Sequence, residues 1–197
     1  MTSDDRKRLV ELRALITRAD REHHQKDRPT LSDAEHDALM EELLALEALS
    51  RLGKSNPKLL SSITIEPNLW PTSAVIDWLN ILSRAKQIPE RDRRLREAEQ
   101  IVRSRLNFQG TTMSFSTEEQ DYLWWLMVSG DSNAVRAVLT FLNFDSWTED
   151  MPRLVRGALG RHRGGHWSTT TANAWGVLAM EKFSRKFESV PVTGGTE

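Results

Sequence analysis

Aliphatic residues recur at three- and four-residue steps from the start of the chain. Leu9, Leu12, Leu15 and Ile16 mark one face of an amphipathic helix over about Asp4 to Gln25. Asp27-Arg28-Pro29 ends it, because Pro29 cannot continue a helix and biases Arg28 toward an extended conformation. Ser32 and Glu35 then have capping-box spacing, and Leu39, Leu43, Leu46 and Leu49 line a second helix that stops near Gly53. The product is an αα-hairpin over residues 1–54, with a small core that needs a partner surface. Residues 55–69 place Ser, Asn and Pro at turn positions and read as a connector. Within it Leu59, Leu60, Ile63 and Ile65 make at most a short extended stretch.

The helical period resumes at Trp70. Pro71 opens a helix with Val75, Trp78, Leu79 and Leu82 on its buried face, and Pro89 opens another with Leu95, Ala98, Val102 and Leu106. Asn107 to Phe115 reads as a loop, ending at a second capping box from Ser116 to Glu119. The helix after it carries Tyr122, Leu123, Trp125 and Leu126. Gly130-Asp131 breaks that helix, and Asp131 or Ser132 caps one with Val135, Val138, Leu139 and Leu142. Pro152 opens a helix with Leu154, Val155, Ala158 and Leu159, and Arg161 to Trp167 makes a Gly-Gly turn. The last helix runs from about Thr170 to Phe187, with Ala174, Val177, Leu178 and Phe183 inward, ahead of a Gly/Thr-rich tail over 191–197. Short loops between these helices predict an all-α fold: an N-terminal αα-hairpin, then an array of antiparallel helices over 70–190.

Composition sharpens this picture. The chain has 197 residues, a formal charge of -1 from 27 Lys+Arg against 28 Asp+Glu, and no cysteine. Zero Cys excludes a disulfide scaffold, thiolate zinc sites, thiol catalysis and thioester chemistry. The balanced charge argues against a broad basic surface for nucleic acid, and no apolar run reaches the length of a membrane span. The start of the chain is polar with no signal-peptide core, which predicts a cytoplasmic location. Seven Trp, six Phe and one Tyr all lie at or after Trp70, so the two halves differ in character.

Candidate chemistry is sparse. His23 and His24 are adjacent, so on a helix their side chains diverge by about 100° and chelate one ion poorly. His162 and His166 have ligand spacing, but Gly164 and Gly165 put a turn between them. Arg161, His162 and Arg163 read as decoration of a helix C-terminus. Asp33, Glu35 and Asp37 crowd the start of the second helix, where acids complement its dipole, and Asp33 and Asp37 share a face that a polar ligand could contact. Ser168 to Thr171 supplies a helix cap. Phosphate-binding glycine loops are absent.

Two resemblances follow. Leu9-x-Glu11-Leu12-Arg13, Asp27-Arg28-Pro29-Thr30-Leu31-Ser32-Asp33-Ala34-Glu35-His36-Asp37-Ala38-Leu39-Met40 and Leu46-Glu47 resemble the N-terminal NAD-capping subdomain of NAD-dependent DNA ligases, over about 9–47. That resemblance implies a fold closing over the nicotinamide half of NAD. Its cofactor-binding residues would be His23, His24, Asp33, His36 and Asp37. His23 and His36 stand where the family packs two tyrosines on the ring, and Asp33 and Asp37 match an Asp pair on the nucleotide. No K-x-D-G nucleotidyl-lysine string occurs, so ligation is not expected.

Trp70-Pro71-Thr72-Ser73-Ala74, Leu123-Trp124-Trp125-Leu126-Met127, Gly165-His166-Trp167-Ser168-Thr169-Thr170 and Asn173-Ala174-Trp175 resemble the C-terminal part of the α/α-toroid domain of bacterial alpha-2-macroglobulins, over about 67–194. That resemblance implies a partial toroid related to endopeptidase inhibitors, here without the G-C-x-E-Q thioester. The preferred reading is a non-enzymatic helical interaction module, a fused or truncated product, with no resident cofactor or metal. Its partner would be a protein, a protease among the candidates, or a second copy of itself. The alternative is a remnant NAD- or nucleotide-binding module of the ligase type.

Overall fold

The computed structural model describes residues 33–60, 70–116 and 123–188. The first predicted helix, Ser32 of the first capping box, residues 61–69 with Ile63 and Ile65, residues 117–122 with Glu119 of the second box, and the C-terminal tail lie outside them. The described residues are mostly helical, with one two-stranded sheet. They form two compact units, divided between Ser104 and Arg105.

In the first unit, helix α1 spans Asp33–Arg51. Its predicted stop is built as a Schellman motif. Lys54 N donates to Leu49 O at 3.0 Å and Gly53 N to Ser50 O at 3.2 Å, with Gly53 at φ 67°. In the connector Pro57–Leu60 forms a helical turn, α2, rather than an extended stretch. Asn56 nucleates it, its side chain accepting from the Lys58 amide.

Helix α3, Thr72–Arg84, has Pro71 as its N-cap and packs on α1 and on α4, Arg91–Ser104. Every residue from Thr72 to Leu82 is buried, not the single predicted face. Trp78, Leu79, Ile81 and Leu82 are at most 1% exposed. Burying such side chains contributes roughly 1.5–3 kcal/mol each. Helix α4 begins two residues after Pro89, because Glu90 sits at φ 53° and cannot extend the helix backward. Arg91 ties the two helices by donating from Nε to Leu82 O at 2.7 Å.

The second unit opens with the main departure from the sequence reading. Leu106–Gln109 (β1) and Thr112–Phe115 (β2) pair antiparallel, with Leu106 opposite Phe115 and Gln109 opposite Thr112. Gly110 at φ 60° is the first of the two turn residues, and Thr111 keeps negative φ, which makes a type II′ hairpin turn. The turn chemistry was present in Gly110. The alternation was masked because Phe108 is exposed, so only Leu106, Met113 and Phe115 reach the core.

Trp124–Leu126 is a single 3-10 turn rather than part of a long helix, stopped by Met127 in the left-handed conformation. Ser129, not Asp131 or Ser132, caps helix α5, Gly130–Phe141, through a reciprocal box with Ser132. Phe141 stacks on Trp147 with centroids 3.7 Å apart, and Trp147 is fully buried. Helix α6, Met151–Leu159, packs on β2 and α5.

Helix α7 spans Thr170–Phe187 as predicted, but presents a different face. Ala172, Gly176 and Ala179 are buried, whereas Ala174 is exposed and Val177 is 70% exposed. Small residues win here because α7 lies close against α5 and under the Trp167 ring. Lys186 Nζ donates to Leu142 O at 2.7 Å, where a cation complements the end of α5.

Candidate functional site

The five residues of the predicted NAD site fall at the start of the chain and of α1. His23 and His24 lie outside the described residues. Asp33 is the first residue of α1, and Asp37 follows one turn later along the same helix. The backbone of His36 is helical there, while the side chains of Asp33 and His36 are outside the description. Asp37 is half-buried and takes part in an interaction of its own.

Lower on α1 the described chemistry is structural. Glu47 is 3% exposed, yet it carries charge. Arg51 Nε donates to both of its oxygens, at 2.9 and 2.8 Å, and Arg84 Nη1 donates to Oε1 at 2.8 Å from α3. Burial alone would raise this carboxyl's pKa; the bonds and charges of the two guanidinium groups outweigh it and hold it below the ordinary range. Arg84 also reaches Ser50 Oγ at 3.1 Å, so one arginine fastens α3 to α1 at two points.

The second unit contains a polar cleft of about 580 Å³, lined by Thr112, Ser114, Asp131, Arg156, Arg161 and Arg163, with Gly157, Gly160 and Ser168 completing it. Gly157 is what lets it form. A Cβ there would collide with the Met113 carbonyl oxygen, so α6 rests on β2 backbone to backbone. That approach carries the Arg156 Nε to Thr111 O at 2.8 Å.

Opposite, Asp131 in the first turn of α5 accepts from Arg161 Nε at 2.6 Å and from the Ser168 amide at 2.8 Å. Burial pushes its carboxyl up. The hydrogen bonds from Ser168 and the Arg161 charge reverse this and leave it below the ordinary range. Arg161 therefore answers a carboxylate 30 positions earlier in sequence and does not simply decorate a helix end. Nothing local in the sequence marks that pair.

Beside the cleft, Gly164 and Gly165 at φ 61° and 85° make a type I′ turn that pairs Arg163 with His166. His162 and His166 do not converge as ligands. His162 packs edge-on against Trp167, with ring centroids 4.1 Å apart, and His166 Nδ1 donates to Trp167 O at 2.9 Å. Among the described residues no group of three metal-ligating side chains gathers. Trp167 donates from Nε1 to Ala158 O at 2.9 Å, and Asn173 Nδ2 donates to Trp167 O and Thr169 O. Thr169 caps α7, as expected, by accepting from the Ala172 amide. No described helix is long and apolar enough to cross a membrane.

Comparison with known proteins gives one finding. Residues 2–58 match a family model described as the N-terminal NAD+-binding domain of DNA ligase-like proteins. The match spans less than a third of the chain and supports the ligase-like resemblance; the macroglobulin resemblance of the later residues receives no such support. No curated protein and no solved structure matches the chain.

Proposed function

We propose that the N-terminal segment is a nucleotide-binding module of the DNA ligase-like type, one that holds the nicotinamide half of NAD without performing ligation. The observation that carries this reading is the family match over 2–58. Its supporting feature is α1, which brings Asp33 and Asp37 one turn apart at its N-terminus. Under the resemblance those two acids meet nucleotide polar groups, His23 and His36 take the places of the ring-packing tyrosines, and His24 matches a family histidine. An imidazole offers less stacking area than a phenol ring, so affinity weaker than in a tyrosine-bearing relative is expected.

Titration of the full chain with NAD, nicotinamide mononucleotide and AMP tests it. Saturable amide shifts at Asp37 with the first two, and not with AMP, are expected. Asp37→Asn should weaken binding about tenfold, as for loss of a charged hydrogen bond of roughly 1.5 kcal/mol. The absence of any saturable shift with NAD or the mononucleotide would sink the proposal.

A second reading concerns residues 70–190, as a helical protein-interaction module of the toroid type. What supports it is a set of exposed apolar residues: Trp124 is 77% exposed, Met127 62% and Val177 70%. Thr171 Oγ1 donates to Met127 Sδ at 3.2 Å, which holds the 3-10 turn beside the start of α7. Such residues favour a partner surface. A strictly monomeric full chain that forms no complex with a panel of endopeptidases on size exclusion would count against it.

A further inference from the structure

We propose that the polar cleft of the second unit is a binding site for a small oxyanionic ligand, a phosphate or carboxylate gripped by Arg156 and Arg163. The first argument is charge. The cleft is lined by three arginines and one acid, and that acid, Asp131, is already satisfied by Arg161 and Ser168. The lining therefore keeps two positive charges that no carboxylate answers. Among the described residues neither Arg156 nor Arg163 forms an ion pair. Arg153, one turn earlier on α6, meets Asp150, and Arg161 meets Asp131.

The second argument is donor capacity. A guanidinium has five N–H donors in a planar fork that matches an oxyanion two bonds at a time. Arg156 uses Nε on Thr111 O, and Arg163 uses Nη1 on the neighbouring His162 O at 3.2 Å. The bond to Thr111 fixes the Arg156 stem on the hairpin turn and leaves its terminal nitrogens for a ligand. That is preorganisation of a long side chain, which lowers the entropy cost of binding.

The third argument is lining chemistry. All nine lining residues are charged, hydroxyl-bearing or glycine, so the lining offers a ligand charge and hydrogen bonds. Ser114 offers a hydroxyl, while those of Thr112 and Ser168 answer Gln109 O and Asp131, and Gly157 and Gly160 add no side chains beside Arg156. At about 580 Å³ the volume suits a small organic anion better than a bare ion. This proposal is independent of the nucleotide reading of residues 2–58.

The test titrates the full chain with glycerol phosphate and, separately, with malonate, at constant ionic strength and with sodium chloride as reference. Side-chain Nε–H signals of Arg156 and Arg163 and the amides of Gly157, Gly160 and Ser168 are followed by NMR. Saturable shifts are expected. Arg156→Gln and Arg163→Gln should each weaken binding at least fivefold and the pair should abolish it, while Arg185→Gln on the exposed face of α7 leaves it unchanged. Arg156→Lys, which keeps charge but loses the fork, should fall between and remains informative should a Gln variant unfold. Tighter glycerol phosphate identifies a phosphoryl ligand, and tighter malonate a carboxylate. Shifts reproduced by chloride, or affinity retained in the double variant, would overturn the proposal.

Discussion

Single residues decide how closely the elements of the second unit approach, and two glycines show how. Gly157 and Gly176 are both helical, where Ala would ordinarily gain about 1 kcal/mol over Gly. Here the sign reverses. A Cβ on Gly157 meets the Met113 backbone carbonyl, which cannot swing aside; one on Gly176 meets the six-membered ring of Trp167. That ring is buried and anchored through Nε1 to Ala158 O, so it too yields little. Gly157→Ala and Gly176→Ala should each cost about 1–3 kcal/mol net, an overpacking penalty, while Gly160→Ala, whose nearest neighbour is 3.2 Å away, should stay within about 1 kcal/mol. Denaturant midpoints of the three variants check this ordering. The sequence identified Gly164-Gly165 as a turn and a cap within Ser168 to Thr171, because both depend on local chemistry. It could not identify Gly157, whose requirement comes from a strand 44 positions away, or the Asp131–Arg161 pair, for the same reason.

At the scale of elements, the contact between α1 and α3 carries a buried charge. Glu47 answers Arg51 on its own helix and Arg84 on the other. Removing one member of a buried pair costs on the order of 3–5 kcal/mol, but both arginines are about a third exposed, so water takes up part of the loss. Glu47→Ala should therefore destabilise the first unit by about 2 kcal/mol. The pair also has a pH signature. Its folded pKa is depressed, so its stabilising contribution is complete above the unfolded value, near 4.3, and is lost as pH falls through the lower folded value. Asp131 behaves with the same sign in the other unit. The difference in unfolding free energy between the wild type and Glu47→Gln isolates Glu47, and it should shrink steadily below about pH 4. A difference independent of pH would show that the carboxylate adds nothing as a charge. Helices α1, α5 and α6 were legible as elements, although Leu49 and Leu159 of the predicted faces are exposed and α5 is buried nearly all round. Element identity failed where one strand residue stayed exposed, hiding the hairpin. In α7 the element was legible but its buried face was not, because close packing selected Ala172, Gly176 and Ala179 over the larger Val177 and Leu178.

For the whole molecule, the aromatic gap before Trp70 is answered by packing rather than by separation. The aliphatic face of α1 has Met40 and Leu43 buried and lies on α3, whose Trp78 is 1% exposed. Helix α3 thus supplies a partner surface for α1. This places a demand on the nucleotide-binding proposal. The family match ends at residue 58, before α3 begins, so the matched segment does not contain the surface on which its second helix rests. A chain cut after residue 58 should lose most of the helicity of α1, since one exposed apolar face cannot hold a marginal helix in water. A chain cut after Ser104 retains α3, α4 and the Glu47–Arg84 bond, and should unfold cooperatively. Circular dichroism and urea unfolding of the two pieces distinguish these outcomes. If the shorter piece folds as well as the longer, α3 is dispensable to the module. If only the longer folds, its NAD titration is the one to compare with the full chain, because nucleotide affinity then depends on residues the family match does not reach.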